Sequence, residues 1–427
     1  MQILNGKRLL VVSSDSSDIT FVEAAKELGV YVVCCDKYTD WNISPAKAVA
    51  DEAWDMDYSD IEAVVARCRK ESIDGVIAGY SEERVMAACK ISNALGTPFY
   101  ATKEQIEMTR NKRVFKSLCQ KFGIDTPIEY CDNFPMTDVD IKQIKYPVIV
   151  KPSDNGGRKG ISVCRDNGEL RNAIQIAMEQ SKNNEIVIEE YLNGIELCAV
   201  YTLMDGEISL SCLNDKYVSQ KEDGTSQLCD FVITPSKCYD SYIQNVDSKI
   251  KKLLQSMGAT NGVANFQFIA NKDGFKAFEM GFRINGNDDF KVIRKHNDID
   301  FSKMLVSYAL TGSMGDDISK NKPLFPEYSA TLCLYLRSGL IERIDYFGLK
   351  DCNGIDDVSI LCRVGRRIVE NGTTGQKAGM IKFSASSLED IAELARYIKR
   401  NIRIEDANGK NMLLGMFDES RLFEEPC

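Results

Sequence analysis

The sequence predicts a mixed α/β and α+β protein made of more than one domain, and three observations carry that expectation. Residues 7–100 alternate short apolar, β-rich runs with amphipathic helical stretches, the pattern of a parallel sheet with crossover helices. From Tyr146 to Met280 the strand-like runs come in pairs joined by glycine-bearing turns, which reads as antiparallel hairpins. Beyond Pro323 and Pro326 the pattern changes to several short strands and one helix near Leu388–Asn401, an α+β arrangement. The expected divisions are 1–102, 103–325 with a flap at about 125–190, and 326–427.

Taken in order, Lys7–Ser13 is a buried strand. Asp18–Leu28 follows with Ile19, Val22, Ala25 and Leu28 at helical spacing, and stops at Gly29. Tyr31–Cys35 is a second strand ending at Asp36, and Ile73–Ala78 a third, followed by a helix from Ser81 to Leu95. Ligands of parallel sheets sit at the carboxyl ends of strands, so Ser13–Asp18, Asp36 and Tyr80-Ser81-Glu82-Glu83 are candidate binding positions; polar helix caps and turns are the competing reading. Residues 103–122 are expected to form one helical stretch bearing Lys112, ended by Thr126-Pro127. A helix at Gly168–Gln180, a strand at Glu185–Tyr191, and a hairpin of Leu197–Met204 with Glu207–Leu213 about Asp205-Gly206 come next. A helix at Asp247–Met257, strands Gly262–Ala270 and Phe275–Met280, and a helix at Phe301–Leu310 complete the central region.

Composition narrows the function. A chain of 427 residues, 44% hydrophobic and 27% charged, can build a large core. A net charge of −10 argues against nucleic-acid or anionic-membrane partners, and no apolar run is long enough to suggest a membrane span. The 15 cysteines include no C-x-x-C pair and lie in apolar runs such as Val32-Val33-Cys34-Cys35. They read as buried, reduced thiols of a cytoplasmic protein. His296 is the single histidine, which disfavours His-based metal sites and a Ser-His-Asp mechanism.

The most informative stretch is Lys151-Pro152-Ser153-Asp154-Asn155-Gly156-Gly157-Arg158-Lys159-Gly160, set between the strand-like runs Tyr146–Val150 and Ile161–Cys164. Glycines let backbone N–H groups approach a polyphosphate, and lysine and arginine neutralise its charge. The loop lacks both the Walker pattern and the dinucleotide G-x-G-x-x-G, so a flap closing over phosphates is the expected role, with an ordinary surface turn as the alternative.

A second constellation is the hairpin Asn265–Ala270 and Phe275–Glu279. With a three-residue loop at Lys272-Asp273-Gly274, Gln267 and Glu279 face each other across the ladder. A carboxamide and a carboxylate oxygen side by side suit Mg²⁺, while Phe266, Phe268 and Phe278 are expected to point into the core. Glu189-Glu190-Tyr191-Leu192-Asn193-Gly194-Ile195-Glu196 sits between two strands, where backbone groups can read an adenine edge and Glu196 can hold ribose hydroxyls. Lys112 and Lys151 can each reach phosphates, and Arg283 can clamp an anionic substrate near the metal.

Together these residues resemble the ATP-grasp superfamily, in the branch of carbamoyl-phosphate synthase large subunits, biotin carboxylases, glycinamide-ribonucleotide-type ligases and L-amino-acid ligases. The resemblance spans essentially the whole chain and implies a Rossmann-like pre-ATP-grasp domain, an ATP-grasp domain and a C-terminal α+β domain. It implies ATP and Mg²⁺ (or Mn²⁺), with phosphates bound by Lys112, Lys151 and the loop Ser153, Gly156, Gly157, Arg158, Lys159 and Gly160. Glu189, Glu190, Tyr191 and Leu192 would line the adenine pocket, Glu196 the ribose, and Gln267 and Glu279 the metal. Arg283 and Arg337 would be the catalytic arginines. The implied reaction is ADP-forming ligation of a small anionic carboxylate to an amine or ammonia through an acyl phosphate. A bicarbonate-using, carbamoyl-phosphate-synthase-like enzyme and an ATP-binding sensor that no longer turns over are the alternatives. A homodimer would be in keeping with related ligases. Two departures matter: Gly281 stands where the family has a metal-binding asparagine, for which Asn265, Asn285 or Asn287 are candidate substitutes. Asn285-Gly286-Asn287-Asp288 also lacks the glutamate base of biotin carboxylation. The basic run Arg363, Arg366 and Arg367 is either part of an anionic-substrate site or a solvated surface strand.

Overall fold

The computed structural model describes residues 3–130, 138–153, 160–218, 228–315 and 317–424. The N-terminal region is a four-stranded parallel sheet in the order β3-β2-β1-β4, formed by β1 (Arg8–Val12), β2 (Tyr31–Asp36), β3 (Glu52–Asp55) and β4 (Gly75–Ile77). Val11, Val12, Val32, Val33 and Val76 are fully buried, as apolar strands covered on both faces must be. The helices Ile19–Glu27 and Glu82–Leu95 follow the first and fourth strands, close to where the periodicity places them.

The expected single helix over 103–122 is two, Lys103–Arg110 and Lys112–Lys121. Asn111 breaks it: its backbone is extended, and its Oδ1 accepts hydrogen bonds from the N–H groups of Arg113 (3.0 Å) and Val114 (3.2 Å). This is an N-cap, and it puts Lys112 at the first position of a helix.

The flap is a three-stranded sheet, β6-β5-β7, of β5 (Val148–Pro152), β6 (Ser162–Cys164) and β7 (Ile186–Glu190). The glycine-loop hairpin is therefore present, with Val148 opposite Cys164 and Val150 opposite Ser162. Its own small core includes Val148, Val150, Leu170 and Ile188.

An eight-stranded antiparallel sheet dominates the rest. Its order is β12-β11-β8-β9-β10-β13, then Lys377–Ala385 and Ile355–Ile360. Here β8 is Ile195–Met204, β9 Glu207–Val218, β10 Cys229–Thr234, β11 Gly262–Asn271, β12 Gly274–Gly281 and β13 Tyr328–Tyr335. The sheet crosses the proline boundary at 323–326, but the hydrophobic interior does not run through uniformly. Residues 4–325 contribute one large core, and Leu332, Ile381, Phe383 and Ile398 belong to a second, with Tyr217 and Phe231 reaching into it from β9 and β10. A helix at Asp289–Asn297, which the apolar periodicity had not suggested, precedes the expected one at Phe301–Thr311.

Three β-bulges shift the registers that even pairing would give. The β11–β12 turn holds two residues, Lys272 and Asp273, with Asn271 opposite Gly274. That register alone would set Gln267 against Phe278, but Phe278 is an extra, bulged residue, and Gln267 faces Glu279 after all. Phe266 and Phe268 are fully buried as expected; Phe278 is not in the core. In the β8–β9 hairpin an extra Ser211 shifts the pairing so that Glu196 faces Lys216, not Asp215. Between β13 and Lys377–Ala385 the extra residue is Ala378, so that Tyr335 faces Lys377.

All 13 cysteines in the described residues are free thiols, 12 of them buried and Cys352 half-buried. His296 stacks on Phe325 and hydrogen-bonds Ser329 Oγ at 2.8 Å. Among the described residues no helix is long and apolar enough to cross a membrane.

Candidate functional site

A cavity of about 1130 Å³ lies between the flap and the eight-stranded sheet. Lys112, Lys151, Gln267, Glu279 and Arg283 all line it, as do the connecting residues Glu189, Glu190, Tyr191, Leu192 and Glu196. Side chains separated by up to 171 positions in sequence thus converge on one space.

Glu189 is 1% exposed and bridges two lysines, Lys151 at 2.6 Å and Lys116 in close contact. Burial works to raise its carboxyl, but Lys151 and Lys116 outweigh burial and hold it below the usual carboxylate range. Its side chain is therefore a clamp on Lys151. Burial pushes the Lys112 ammonium down, against the pull of Glu279 and in concert with repulsion from Lys151. Lys112 and Lys151 both line this space, where two ammonium groups would suit a polyphosphate.

In the connecting segment, the Glu190 carboxylate is taken by Lys276 and by the Ile128 N–H at 3.0 Å. The Glu190 and Tyr191 N–H groups donate to the Ile128 and Pro147 carbonyls. Glu196 forms a buried ion pair with Lys216, which also donates to Gln267 Oε1 at 2.9 Å. Burial works against that ammonium, and Glu196 more than compensates, holding Lys216 charged. Lys216 was missed in the sequence because it enters the cavity only through the Ser211 bulge. The one available signal was that an unbulged register would set Glu196 against Asp215, two like charges.

Gln267 and Glu279 stand side by side at the paired position, with Phe278 beside them in the cavity wall, 6.0 Å from Lys151 Nζ. The bulge that restores the pair is what turns this phenylalanine out of the core. A carboxylate and a carboxamide oxygen fit Mg²⁺, which takes hard oxygen ligands and shares its shell with phosphates. No group of three or more His, Cys, Asp or Glu residues poised for a metal occurs among the described residues. Asn265 lies opposite Gly281 and donates to the carbonyls of Gly281 (3.2 Å) and Arg283 (2.9 Å). Asn285 donates to the Asp289 carboxylate, and both Asn285 and Asn287 line the cavity.

Arg283 is already engaged. Its Nε and Nη2 meet Glu82 at 2.6 and 2.5 Å, and its Nη1 donates to the Ile284 carbonyl at 2.9 Å. Of the N-terminal candidates, Glu82 is tied to the cavity wall in this way. Asp15 and Asp18 pair with Arg84, Asp36 with Ser44 and Lys47, and Glu83 with Lys182. Arg337 does not line the cavity: it is exposed and donates to the Leu413 carbonyl at 3.3 Å, while Tyr335, two residues earlier, takes the lining position. Arg363 lies near Asp40 at 3.7 Å, and Arg366 donates to the Leu361 and Gly375 carbonyls; neither lines the cavity, nor does Arg367. Ser153 is buried on Asn183, and Gly160 sits outside the wall. Gly156, Gly157, Arg158 and Lys159 lie outside the described residues.

Residues 112–291 match the family model of the ATP-binding domain of the carbamoyl-phosphate synthase L chain. Formate-dependent phosphoribosylglycinamide formyltransferase of Prochlorococcus marinus (strain MIT 9303) is 28% identical over 228 residues, 52% of this chain and 53% of that protein. The chain thus spans about half the length of the curated relatives it matches. Among solved structures, the L-amino acid ligase from Bacillus licheniformis superposes with a TM-score of 0.78 at 19% identity, covering 95% of this chain and 100% of that one. The biotin carboxylase domain of Hydrogenobacter thermophilus 2-oxoglutarate carboxylase, described as a dimer in complex with MgADP, superposes with a TM-score of 0.77 at 20% identity, covering 93% and 90%. The match begins at Lys112 and contains the flap, the Gln267–Glu279 hairpin and Arg283, the same residues the cavity brings together. Residues 112–291 thus carry an ATP-binding domain similar to those of carbamoyl-phosphate synthase large chains, of the ATP-grasp kind.

Proposed function

We propose that this protein is an ATP-dependent carboxylate–amine ligase that works through an acyl phosphate and releases ADP. The observation that carries the reading is the convergence of Lys112, Lys151, Gln267 and Glu279 on one cavity. On this reading the chain divides near 102 and 325, and ATP lies between the flap and the large sheet. Lys112 and Lys151 neutralise its phosphates, with Glu189 fixing Lys151 in place. The 190–192 segment meets the adenine. Magnesium, held by Gln267 and Glu279, would supply charge neutralisation at the phosphates.

A substrate carboxylate oxygen attacks the γ-phosphorus in line, and the bond from that phosphorus to the β,γ-bridging oxygen breaks, giving ADP and an acyl phosphate. An amine nitrogen then attacks the acyl carbon, the carbon–oxygen bond to phosphate breaks, and the nitrogen loses its proton to the departing phosphate or to water. The protein's work is positioning and charge neutralisation, which agrees with a chain whose single histidine is committed to Phe325 and Ser329.

The test is ADP release from Mg-ATP with pooled amino acids, dipeptides, or bicarbonate plus ammonia. Release that depends on one pool supports a ligase and leads to its carboxylate; dependence on bicarbonate supports the carbamoyl-phosphate-synthase-like variant. Gly281 favours a second reading, an ATP-binding module without turnover. ATP binding with no release from any pool would favour that module.

A further inference from the structure

We propose that Lys377 anchors a second carboxylate of the acid that is activated, so that the substrate class is a small dicarboxylate, acidic amino acids included. This rests on the ligase reading above and adds the substrate to it.

The argument begins with the charge on the cavity wall. Three lysines of the phosphate end have an acidic partner or neighbour: Glu189 for Lys151, Glu196 for Lys216, Glu279 near Lys112; Arg165 of the flap lines the cavity as well. Arg283 has Glu82. Lys237 and Arg421 end on the carbonyls of Glu424 and Val218, lie over the Tyr217 ring, and share their stretch of wall with the carboxylates of Asp418 and Glu424. Lys377 differs from these in having no carboxylate partner among the described residues; its titratable neighbour is the buried Cys333 thiol. Among the described residues its ammonium meets only neutral acceptors, the Gly286 carbonyl at 3.4 Å and Met380 Sδ at 3.6 Å.

Its position is built. Cys333 pairs with Met380 and Leu334 with Gly379, but Tyr335 pairs with Lys377, because Ala378 is an extra residue. Ala378 turns into the second core with Leu334 and Ile381. The bulge consequently swings Lys377 and Tyr335 together onto the cavity face. Without it, strand alternation would point Lys377 to the opposite side of the sheet.

Lys377 is also close to the proposed reaction centre, although its strand lies five positions along the sheet from β11. Flat spacing would separate them by roughly 24 Å. The segment after Arg283 closes that gap: Gly286 reaches Lys377, and Asn287 gives its carbonyl to Lys382 at 3.0 Å, on the same strand. Three residues from Arg283 to Gly286 span at most about 11 Å. An acid held at one carboxylate by Lys377 can therefore present its other carboxylate beside Arg283 if it has the length of a short dicarboxylate. The cavity has room for it: its volume exceeds the usual upper size of a single-ligand pocket, about 1,000 Å³.

The experiment compares wild type, Lys377→Met and Lys377→Arg. ADP release from Mg-ATP is measured with pooled succinate, glutarate, aspartate and glutamate, then with the matching half-amides succinamate, glutaramate, asparagine and glutamine. Ammonia and pooled neutral amino acid amides, which carry no free carboxylate, are present throughout as nucleophiles. The expected result is release with the dicarboxylates only. Lys377→Met should raise KM for them about 10- to 100-fold, the worth of one hydrogen bond to a charged group, with KM for ATP unchanged, and Lys377→Arg should restore most of the loss. Equal release with acids and half-amides, or an unchanged KM in Lys377→Met, overturns the proposal. A second readout does not need turnover: thermal stabilisation by the dicarboxylate pool in the presence of Mg-AMP-PNP. Stabilisation by acids but not half-amides, lost in Lys377→Met, supports the anchor even if no ADP is released, and would then count against the ligase reading alone. No stabilisation of the wild type by the acids, or equal stabilisation of Lys377→Met, overturns the anchor.

Discussion

The two ends of the cavity handle positive charge in opposite ways. At the flap end the lysines are buried and locked by carboxylates, as Lys151 and Lys116 are by Glu189. At the far end Lys377 rests on a carbonyl and a thioether. A buried ammonium without a counter-charge is expensive, so the flap end has to carry its partners permanently. A half-exposed ammonium keeps water as its partner and can exchange it for a ligand. The difference separates a cation that organises the protein from one that is free to read a substrate.

Predictions that would break or sharpen this contrast begin with the largest. Glu279→Ala should cut ADP release about 10³-fold, roughly 4 kcal/mol of transition-state stabilisation, measured in the release assay with folding checked by circular dichroism; retained activity would sink the metal assignment. Lys151→Met leaves Glu189 with Lys116 alone and should lower unfolding stability by about 2–3 kcal/mol, read from chemical denaturation. The same change at Lys377 should move stability by no more than about 0.5 kcal/mol. If the two substitutions cost the same, the contrast fails.

The acid limb offers a third check. Glu189 has a folded-state pKa depressed below its ordinary value of 4.5. Its contribution is therefore fully present above pH 4.5 and is lost as pH falls through the depressed folded value. Melting temperature followed downward from pH 7 should drop across that window in the wild type, and drop less in Lys151→Met, where part of the depression is gone. The smallest effect concerns Asn111→Ala, which should cost about 1 kcal/mol through the lost N-cap of the Lys112 helix; an unchanged denaturation midpoint would mean that tertiary contacts alone set that helix start.

Much of this arrangement was legible beforehand because the strongest signals are local. Apolar runs located the flap strands, and Asp205-Gly206 located the β8–β9 hairpin, with positive φ at both turn residues. The break at Asn111 was readable in principle, since asparagine is a favoured N-cap, but the uninterrupted helical propensity around it masked the signal. The facing pair Gln267 and Glu279 was reached from a three-residue loop that does not exist. The real two-residue turn and the Phe278 bulge offset each other by one residue.

The sequence by itself determined most of the strands and helices, the resemblance of its lysines and acidic residues to one ATP-grasp arrangement, and the interior of buried thiols. These follow from spacing and side-chain chemistry along short stretches. Only the tertiary structure decided which face each side chain occupies beyond the bulges at Ser211, Phe278 and Ala378, and so placed Lys216, Phe278 and Lys377 in the cavity. It also decided that Arg283 answers to Glu82 from the N-terminal region and that Arg337 stays outside. The reason is that side-chain direction in a sheet has a period of two. One extra residue, set by packing between distant strands, reverses every assignment that follows it.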